Sequence, residues 1–344
     1  MNANQIKSSV DYDAYLSFGL SYNCNLNCHY CCNSQLLNGH DATTEINVPL
    51  FLKTIEQTGL TFCVAFCGFG ETFLIKNLTA ACRAIAQDHY VSLISNLTLP
   101  AVKEFGLKLD PGRVLEIVAS AHLKELENKK LFDAYVDNFL FLKRRGFNIS
   151  AVAVAHPSLL TEVEKYKNIF RDKGIELKFR NFGGEYNGRL YPQAYTRREL
   201  KTFNLSLKPH YRYSRICNAG YNIALILQHG EVASCFHPRN HLGNIYTKIN
   251  FNENLVVCPF KFCDCVANDQ TSYLLNKVLP NIGWKKISFI YYIFIKERFY
   301  SLIDRFLGKI GMTLGRYFPE SYRRLGATRS KTQKFLLTRK NYRD

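Results

Sequence analysis

The sequence is short of acidic residues and has no long hydrophobic run. It contains 28 Asp and Glu against 45 Lys and Arg, which gives its 344 residues a formal net charge of +17. The longest apolar stretch, 287–295, is far shorter than the roughly 18 residues that suggest a membrane-spanning helix. The first ten residues are polar and do not resemble a secretory signal. These absences favour a cytosolic protein that is soluble or at most peripheral to a membrane.

The composition excludes an intrinsically disordered chain, because 47% of the residues are hydrophobic and 14% are aromatic. The length fits one large domain with an appendage, or two domains of ordinary size. Twelve cysteines are present. Disulfides are rare in a reducing compartment, so this number favours thiolate chemistry or metal ligation.

Short β-rich runs alternate with longer helical patterns between Tyr15 and Arg180, which predicts repeated βα units around a parallel sheet. Six such units predict an α/β fold of the partial (β/α)6, TIM-like barrel type. The active site of such a barrel is expected at the C-terminal ends of its strands. The predicted strands are residues 15–21, 61–67, 90–95, 114–119, 149–155 and 175–180.

Three cysteines, Cys24, Cys28 and Cys31, follow the first predicted strand with the spacing CxxxCxxC. Three thiolates on one loop can hold a metal centre and leave one coordination position open. Zinc is the simpler alternative, with His40 as a conceivable fourth ligand, but structural zinc sites usually pair one CxxC with a second. An iron–sulfur cube bound at three of its four irons fits better, because the fourth iron stays open to a substrate or cofactor.

The cysteine loop resembles that of the radical S-adenosylmethionine (SAM) superfamily, CxxxCxΦC, with Tyr30 as the aromatic residue Φ. A second resemblance follows the second predicted strand, where residues 68–72 (GFGET) stand in the place of the family's glycine-rich turn, GGGEP. The turn departs from the family's pattern at Phe69 and Thr72. It keeps the central pair, Gly70–Glu71.

The resemblance implies a [4Fe–4S] cluster on the three loop thiolates, whose open iron binds SAM and whose electron cleaves SAM to a 5′-deoxyadenosyl radical. It also implies an electron donor such as flavodoxin or ferredoxin. By position, the glycine turn is expected to meet the methionyl group of SAM, and Tyr30 its adenine. His156 and Arg180 end later strands, and a lone histidine there is as readily a structural residue. The candidate cofactor-binding residues are Tyr30, Gly68, Gly70, Glu71, Ser95, Asn96, Ser120 and His122.

A second group of five cysteines follows. Cys217 and Cys235 stand in the pattern Cys-x12-Gly-x4-Cys, which resembles the opening of the SPASM and twitch units that hold auxiliary clusters in some radical SAM enzymes. Cys258, Cys263 and Cys265 form a compact run. A full SPASM unit needs more cysteines than these. Five therefore predict a twitch-like unit with one auxiliary [4Fe–4S] cluster and one cysteine left over. A zinc ribbon built from the same residues is the alternative.

Most of the positive charge lies in the tail, 271–344, where sixteen Lys and Arg stand against four acidic residues. Within 284–307 the basic residues are interleaved with aromatic and aliphatic ones. Such a segment can lie in an anionic membrane surface. It can equally pack as a helix on the barrel with its charges solvated. Nucleic acid is not an expected partner, because the tail contains no recognisable binding module.

These patterns predict three parts: a radical SAM core (12–190), a SPASM/twitch-like auxiliary cluster unit (205–270) and a basic, aromatic, helical tail (271–344). We expect a radical SAM oxidoreductase or radical-based modifying enzyme. Its substrate is unidentified, and a sugar, a glycolipid-linked compound or a small molecule suits the tail. The alternative within the class is a maturase that modifies a peptide or protein. The alternative from another class is a non-catalytic zinc-binding interaction protein.

Overall fold

The structure is a computed structural model that describes residues 11–19, 23–31, 45–67, 69–206, 216–235, 240–258, 268–283, 286–292 and 295. The predictions for His40, Gly68, Cys263 and Cys265, and for most of the tail, lie outside these ranges. The chain divides into two compact units, Met1–Asn281 and Ile282–Asp344. The fold and the candidate site described below belong to the first unit.

A parallel sheet forms the centre of the first unit. Its six strands neighbour one another in the order of the sequence, and each pair is parallel. The βα alternation and the central parallel sheet predicted from the sequence are therefore confirmed, while the closure into a partial (β/α)6 barrel stays a prediction. The strands are β1 (Ala14–Phe18), β2 (Phe62–Phe66), β3 (Tyr90–Ser95), β4 (Val114–Ser120), β5 (Ile149–Val154) and β6 (Leu177–Arg180).

Helices connect the strands and cover one face of the sheet. The first begins at Asn47, whose side chain accepts a hydrogen bond from the Leu50 amide, and Pro49 occupies its first turn. The helices in the described ranges of the first unit are α1 (Val48–Glu56), α2 (Leu78–Ile85), α3 (Ala101–Lys108), α4 (Leu123–Asn128), α5 (Phe132–Arg144), α6 (Val163–Asp172), α7 (Arg197–Phe203) and α8 (Asn268–Val278).

Burial differs along the sheet. Strands β1 and β2 are buried at every residue, whereas β3 alternates between buried and partly exposed residues. This pattern means that β1 and β2 are covered on both faces and β3 on one. Part of the second cover is α8, whose fully buried Leu274 packs with Tyr12, Tyr15 and Cys63. The uncovered face of the sheet therefore begins at β3.

The cysteine-rich segment extends the main sheet. One of its strands, Ile223–Ile226, pairs in parallel with β1, and three more continue from it in antiparallel order. The sheet thus contains ten strands. Helix α8 crosses the predicted boundary at residue 270, so the first compact unit includes the start of the predicted tail. The remaining strands are β7 (Gly184–Tyr186), β8 (Arg189–Tyr191), β9 (Ile216–Cys217), β10 (Ile223–Ile226), β11 (Glu231–Ala233), β12 (His241–Asn244), β13 (Lys248–Ile249) and β14 (Val256–Val257).

Candidate metal and cofactor site

The loop after β1 carries Cys24, Cys28 and Cys31 beyond the C-terminal end of that strand. All three side chains are half-buried, and none takes part in a disulfide. Leu26 lies between the first two and is buried. The loop therefore buries one apolar side chain, Leu26, while its thiols stay partly exposed beyond the C-terminal end of β1.

The turn after β2 holds the start of this loop. The Glu71 amide donates a hydrogen bond of 2.7 Å to the Asn23 carbonyl. A Cβ atom at Gly70 would lie 2.1 Å from the same carbonyl oxygen, which is closer than any real contact. Glycine is required at position 70 because the two backbones meet there.

Both departures from the family's turn have a structural role here. The ring of Phe69 lies against the end of β1, where a Cβ atom at Gly19 would come within 2.6 Å of it. The hydroxyl of Thr72 is buried and donates to the Ile94 carbonyl at 2.8 Å, which ties the turn to β3. Proline has no hydroxyl to make that bond.

The Glu71 carboxylate is buried and stabilises the turn through hydrogen bonds. It accepts hydrogen bonds from the Ser95 hydroxyl (2.7 Å), the Asn96 amide (2.8 Å) and the Phe73 amide (3.0 Å). Burial raises the pKa of Glu71, and these three donors oppose that shift by stabilising the carboxylate. The carboxylate thereby joins the turn to the end of β3.

A chain of amide and hydroxyl groups continues from β3 to the cysteine loop. The Asn96 side chain donates to Asn25 Oδ1 at 2.8 Å, and Asn25 donates to the Thr98 hydroxyl at 2.8 Å. That hydroxyl in turn donates to Asn96 Oδ1 at 2.6 Å. The three side chains form a closed ring of hydrogen bonds, which fixes the loop against β3.

Helix α4 holds the other side of the loop. Glu125 accepts a 2.8 Å hydrogen bond from the Asn27 amide, and Lys129 donates one of 2.7 Å to the Asn25 carbonyl. Neither residue was predicted from the sequence. Glu125 lies in α4 and Lys129 directly follows the helix, so they have the i, i+4 spacing of an ordinary surface ion pair, and Nζ of Lys129 lies 3.7 Å from the Glu125 carboxylate. Nothing in the sequence shows whether these two residues pair only with each other or also bind the cysteine loop.

Cys28 has the most polar surroundings of the three thiols. Its Sγ lies 3.2 Å from Nδ1 of His122, and the same nitrogen is 3.2 Å from the Tyr30 hydroxyl. Burial, followed by the negative charge of Glu125, raises the pKa of Cys28 to about 12, and a hydrogen bond from the Tyr30 hydroxyl opposes this rise. Burial lowers the pKa of His122 to about 4, so its imidazole is neutral at physiological pH.

Aromatic rings connect this group to the β7–β8 hairpin. The Tyr30 ring stacks on His156 with centroids 5.3 Å apart, and the edge of His156 meets the rings of Phe182 and Tyr186. His156 is buried, and its side chain bonds to Ser158. Burial lowers the pKa of His156 to about 4. The contacts of His156 described here are thus with Ser158 and with aromatic rings.

Three free thiols on one loop are the donor set that an iron–sulfur cube with one open iron requires. Burial raises the pKa of Cys24 and of Cys28, and neighbouring thiolates add to both shifts. Binding of a metal centre would therefore displace protons from these thiols. Within the described ranges, no three His, Cys, Asp or Glu side chains lie close enough to hold one metal ion. Cube ligands bind different irons, so they are spaced more widely than the ligands of a single ion.

The described cysteines of the second group come from three short segments. Cys217 ends β9 and pairs with Val256 of β14, two residues before Cys258. Cys235 follows Ser234, the first residue after β11. Ser234 lies close to Gly220, since a Cβ atom at Gly220 would lie 2.9 Å from the Cβ of Ser234. The pairing of β9 with β14 thus brings Cys217 near Cys258. The four-ligand auxiliary site stays a prediction.

The predicted cofactor-binding residues fall into two groups. Gly70, Glu71, Ser95 and Asn96 meet one another and the start of the cysteine loop, while Tyr30 and His122 meet at Cys28. Of the other two, Ser120 is half-buried at the end of β4, and Gly68 lies outside the described residues. Arg180, which ends β6, is exposed.

No protein-family model and no curated protein matches the chain. Several solved structures are similar in fold. Streptococcus suis SuiB bound to S-adenosylmethionine is 17% identical, with a TM-score of 0.47, and the match covers 71% of this chain and 66% of SuiB, just under two thirds of its length. The structure of anSMEcpe with AdoMet and the Kp18Cys peptide is 17% identical, with coverages of 67% and 78% and a TM-score of 0.49. For BtrN in complex with AdoMet and 2-DOIA the identity is 12%, the coverages are 67% and 78%, and the TM-score is 0.34.

We predict that Gly70→Ala displaces the cysteine loop, because its methyl group would occupy the position of the Asn23 carbonyl. The free energy of unfolding of the apo-protein should fall by about 1–3 kcal/mol, as for other overpacked sites. Urea unfolding measures this change. Iron bound after anaerobic reconstitution should fall as well.

The matched control is Gly183→Ala, because Gly183 has open space at its Cβ position and no left-handed backbone. It should behave as the unsubstituted protein in both measurements. Equal stability and equal iron content in the two variants would show that the contact at Gly70 does not position the loop.

Proposed function

We propose that the chain is a radical SAM enzyme whose catalytic [4Fe–4S] cluster is held by Cys24, Cys28 and Cys31. The observation that carries this proposal is the contact between Gly70–Glu71 and Asn23. Two motifs that resemble those of the superfamily are far apart in the sequence and meet through their backbones beside one end of a parallel sheet. If either motif were a chance match, there would be no reason for the two segments to be in contact.

When bound, the cluster supplies the electron that cleaves SAM and so produces the hydrogen-abstracting radical. The residues of the chain bind and orient this pair. The loop thiolates hold the cluster, and the polar ring of Asn25, Asn96 and Thr98 keeps the loop in place. SAM is expected to lie along the backbone at Gly70. An electron donor such as flavodoxin or ferredoxin completes the system.

We predict that anaerobically reconstituted protein releases 5′-deoxyadenosine from SAM in the presence of dithionite, even without substrate. The triple variant Cys24→Ala, Cys28→Ala, Cys31→Ala should release none, because it has lost the thiolates that bind the cluster. Chromatography of the nucleoside products measures this directly.

Cys82→Ala is the matched control, since Cys82 is fully buried in α2 away from the loop. It should retain the activity. Undiminished 5′-deoxyadenosine from the triple variant would overturn the assignment.

An auxiliary [4Fe–4S] cluster is proposed for Cys217, Cys235 and Cys258 with one of Cys263 and Cys265. The pairing of β9 with β14 supports this proposal, because it brings together two segments that each carry a cysteine. We predict about eight irons per chain for two cubes, and about four in the triple variant of the first loop. Metal analysis after anaerobic purification tests both values.

Zinc in the second group would favour the zinc ribbon there. Zinc in both groups, in a colourless protein, would favour the non-catalytic interaction protein.

For the substrate we propose a sugar, a glycolipid-linked compound or another small molecule, with a peptide or protein as the alternative. The uncovered face of the sheet from β3 onward supports access for either class. Transfer of deuterium from a labelled substrate into 5′-deoxyadenosine distinguishes the two classes, because hydrogen abstraction requires that transfer.

We propose that the second unit binds an anionic membrane surface. Residues 286–292 are helical, and Phe289, Tyr292 and Ile295 recur at three-residue intervals with more than half of each side chain exposed. The surrounding tail is strongly basic. No described helix is long and apolar enough to cross a membrane.

We predict that replacing Phe289, Tyr292 and Ile295 together by Ser weakens binding to phosphatidylserine vesicles at least about tenfold, because each buried apolar side chain contributes about 1.5–3 kcal/mol. Vesicle sedimentation measures the binding, which should also weaken as salt is added. Leu190→Ser is the matched control, since Leu190 is equally exposed on β8 of the first unit. Equal binding by the triple variant and the control would exclude this surface.

A further inference from the structure

We propose that Tyr30 and His122 are positioning residues that donate hydrogen bonds to the Cys28 thiolate and thereby raise the reduction potential of the catalytic cluster. This inference rests on the proposed function, because it requires a cluster on Cys28. It assigns Tyr30 and His122 a role beyond SAM binding, in which they act on one cluster ligand.

The geometry places Nδ1 of His122 3.2 Å from Sγ of Cys28 and 3.2 Å from the Tyr30 hydroxyl. A hydrogen bond from Tyr30 also opposes the rise in the pKa of Cys28. A thiolate at Cys28 can only accept a hydrogen bond, so we assign a proton to the Nδ1 atom that lies 3.2 Å from it.

The other described contacts make Cys28 distinct within the loop. Cys24 accepts one long backbone hydrogen bond, 3.4 Å from the Leu26 amide. Cys28 also lies near the Glu125 carboxylate, whose charge disfavours a thiolate there. Glu125 is needed to hold the Asn27 amide. Two donors at Cys28 therefore offset a negative charge that the loop requires for its position.

The direction of the effect follows from charge. Reduction adds one negative charge to the cluster, and hydrogen bonds to its sulfur ligands stabilise the more negative state. Removal of a donor should therefore lower the midpoint potential. The expected change is about tenfold in the equilibrium constant for reduction, which is 59 mV for a one-electron couple.

The test is a redox titration of reconstituted, SAM-free protein followed by electron paramagnetic resonance. The signal of the catalytic cluster is identified by its absence from the triple alanine variant of the loop cysteines. Tyr30→Phe removes only the hydroxyl and keeps the ring that stacks on His156. His122→Phe removes the nitrogen, and His122→Asn restores an N–H near the position of Nδ1.

We expect Tyr30→Phe and His122→Phe each to lower the potential, and His122→Asn to recover most of the loss. Tyr186→Phe is the matched control, because Tyr186 belongs to the same group of rings and meets His156. It should leave the potential unchanged. An equal shift in Tyr186→Phe would overturn the inference, because the effect would then belong to the ring cluster as a whole.

Two further outcomes separate this inference from the function on which it rests. A wild-type cluster whose potential is the same in Tyr30→Phe and His122→Phe would overturn the inference alone. A wild-type protein that holds no cluster on Cys24, Cys28 and Cys31 would overturn the proposed function and the inference together.

Discussion

The backbone contact between Glu71 and Asn23 is the constraint on which the candidate site depends. Residues 23–31, the described part of the cysteine loop, form no helix or strand, so their polar backbone groups need partners from elsewhere in the chain. The Glu71 amide donates a hydrogen bond to the Asn23 carbonyl at the start of the loop. The Glu71 carboxylate accepts hydrogen bonds from Ser95 and Asn96, which fixes the turn at the end of β3. Lys129 and Glu125 then satisfy groups further along the loop. A loop held from two sides can keep three mutually repelling thiolates in one place.

The cover of the sheet determines where chemistry can occur. Strands β1 and β2 are closed on both faces, in part because α8 places Leu274 against Tyr15 and Cys63. The cysteine loop follows the first of these closed strands, and the turn follows the second. The strands from β3 onward keep one face partly open. The cysteine loop and the glycine turn thus follow the strands that are covered on both faces, and the partly open face belongs to the other strands.

The strands and the loop motifs were predictable because their signals are local. Residues 90–95 form a strand as predicted. The glycine turn was recognised from its sequence, whereas the contact of Gly70 with the Asn23 carbonyl was not predicted. The pairing of β10 with β1 was not predictable. The sequence of β10, IALI, is apolar throughout. Such a sequence indicates a strand buried on both faces but does not indicate which strand it pairs with. The roles of Glu125 and Lys129 were hidden for the same reason, since their spacing satisfies a local rule while their partners lie about a hundred residues away.

The unequal surroundings of the three thiols follow from how the loop is held. Helix α4 must approach the loop closely for Glu125 to reach the Asn27 amide, and His122 lies at the start of the same helix. The hydrogen bond between Glu125 and the Asn27 amide therefore also brings His122 close to Cys28. Tyr30 is carried there by the loop itself, two residues after Cys28. The same contacts of α4 therefore hold the loop in place and bring polar groups to the Cys28 sulfur. A substitution that loosens α4 should disturb the position of the loop and the properties of the proposed metal centre together.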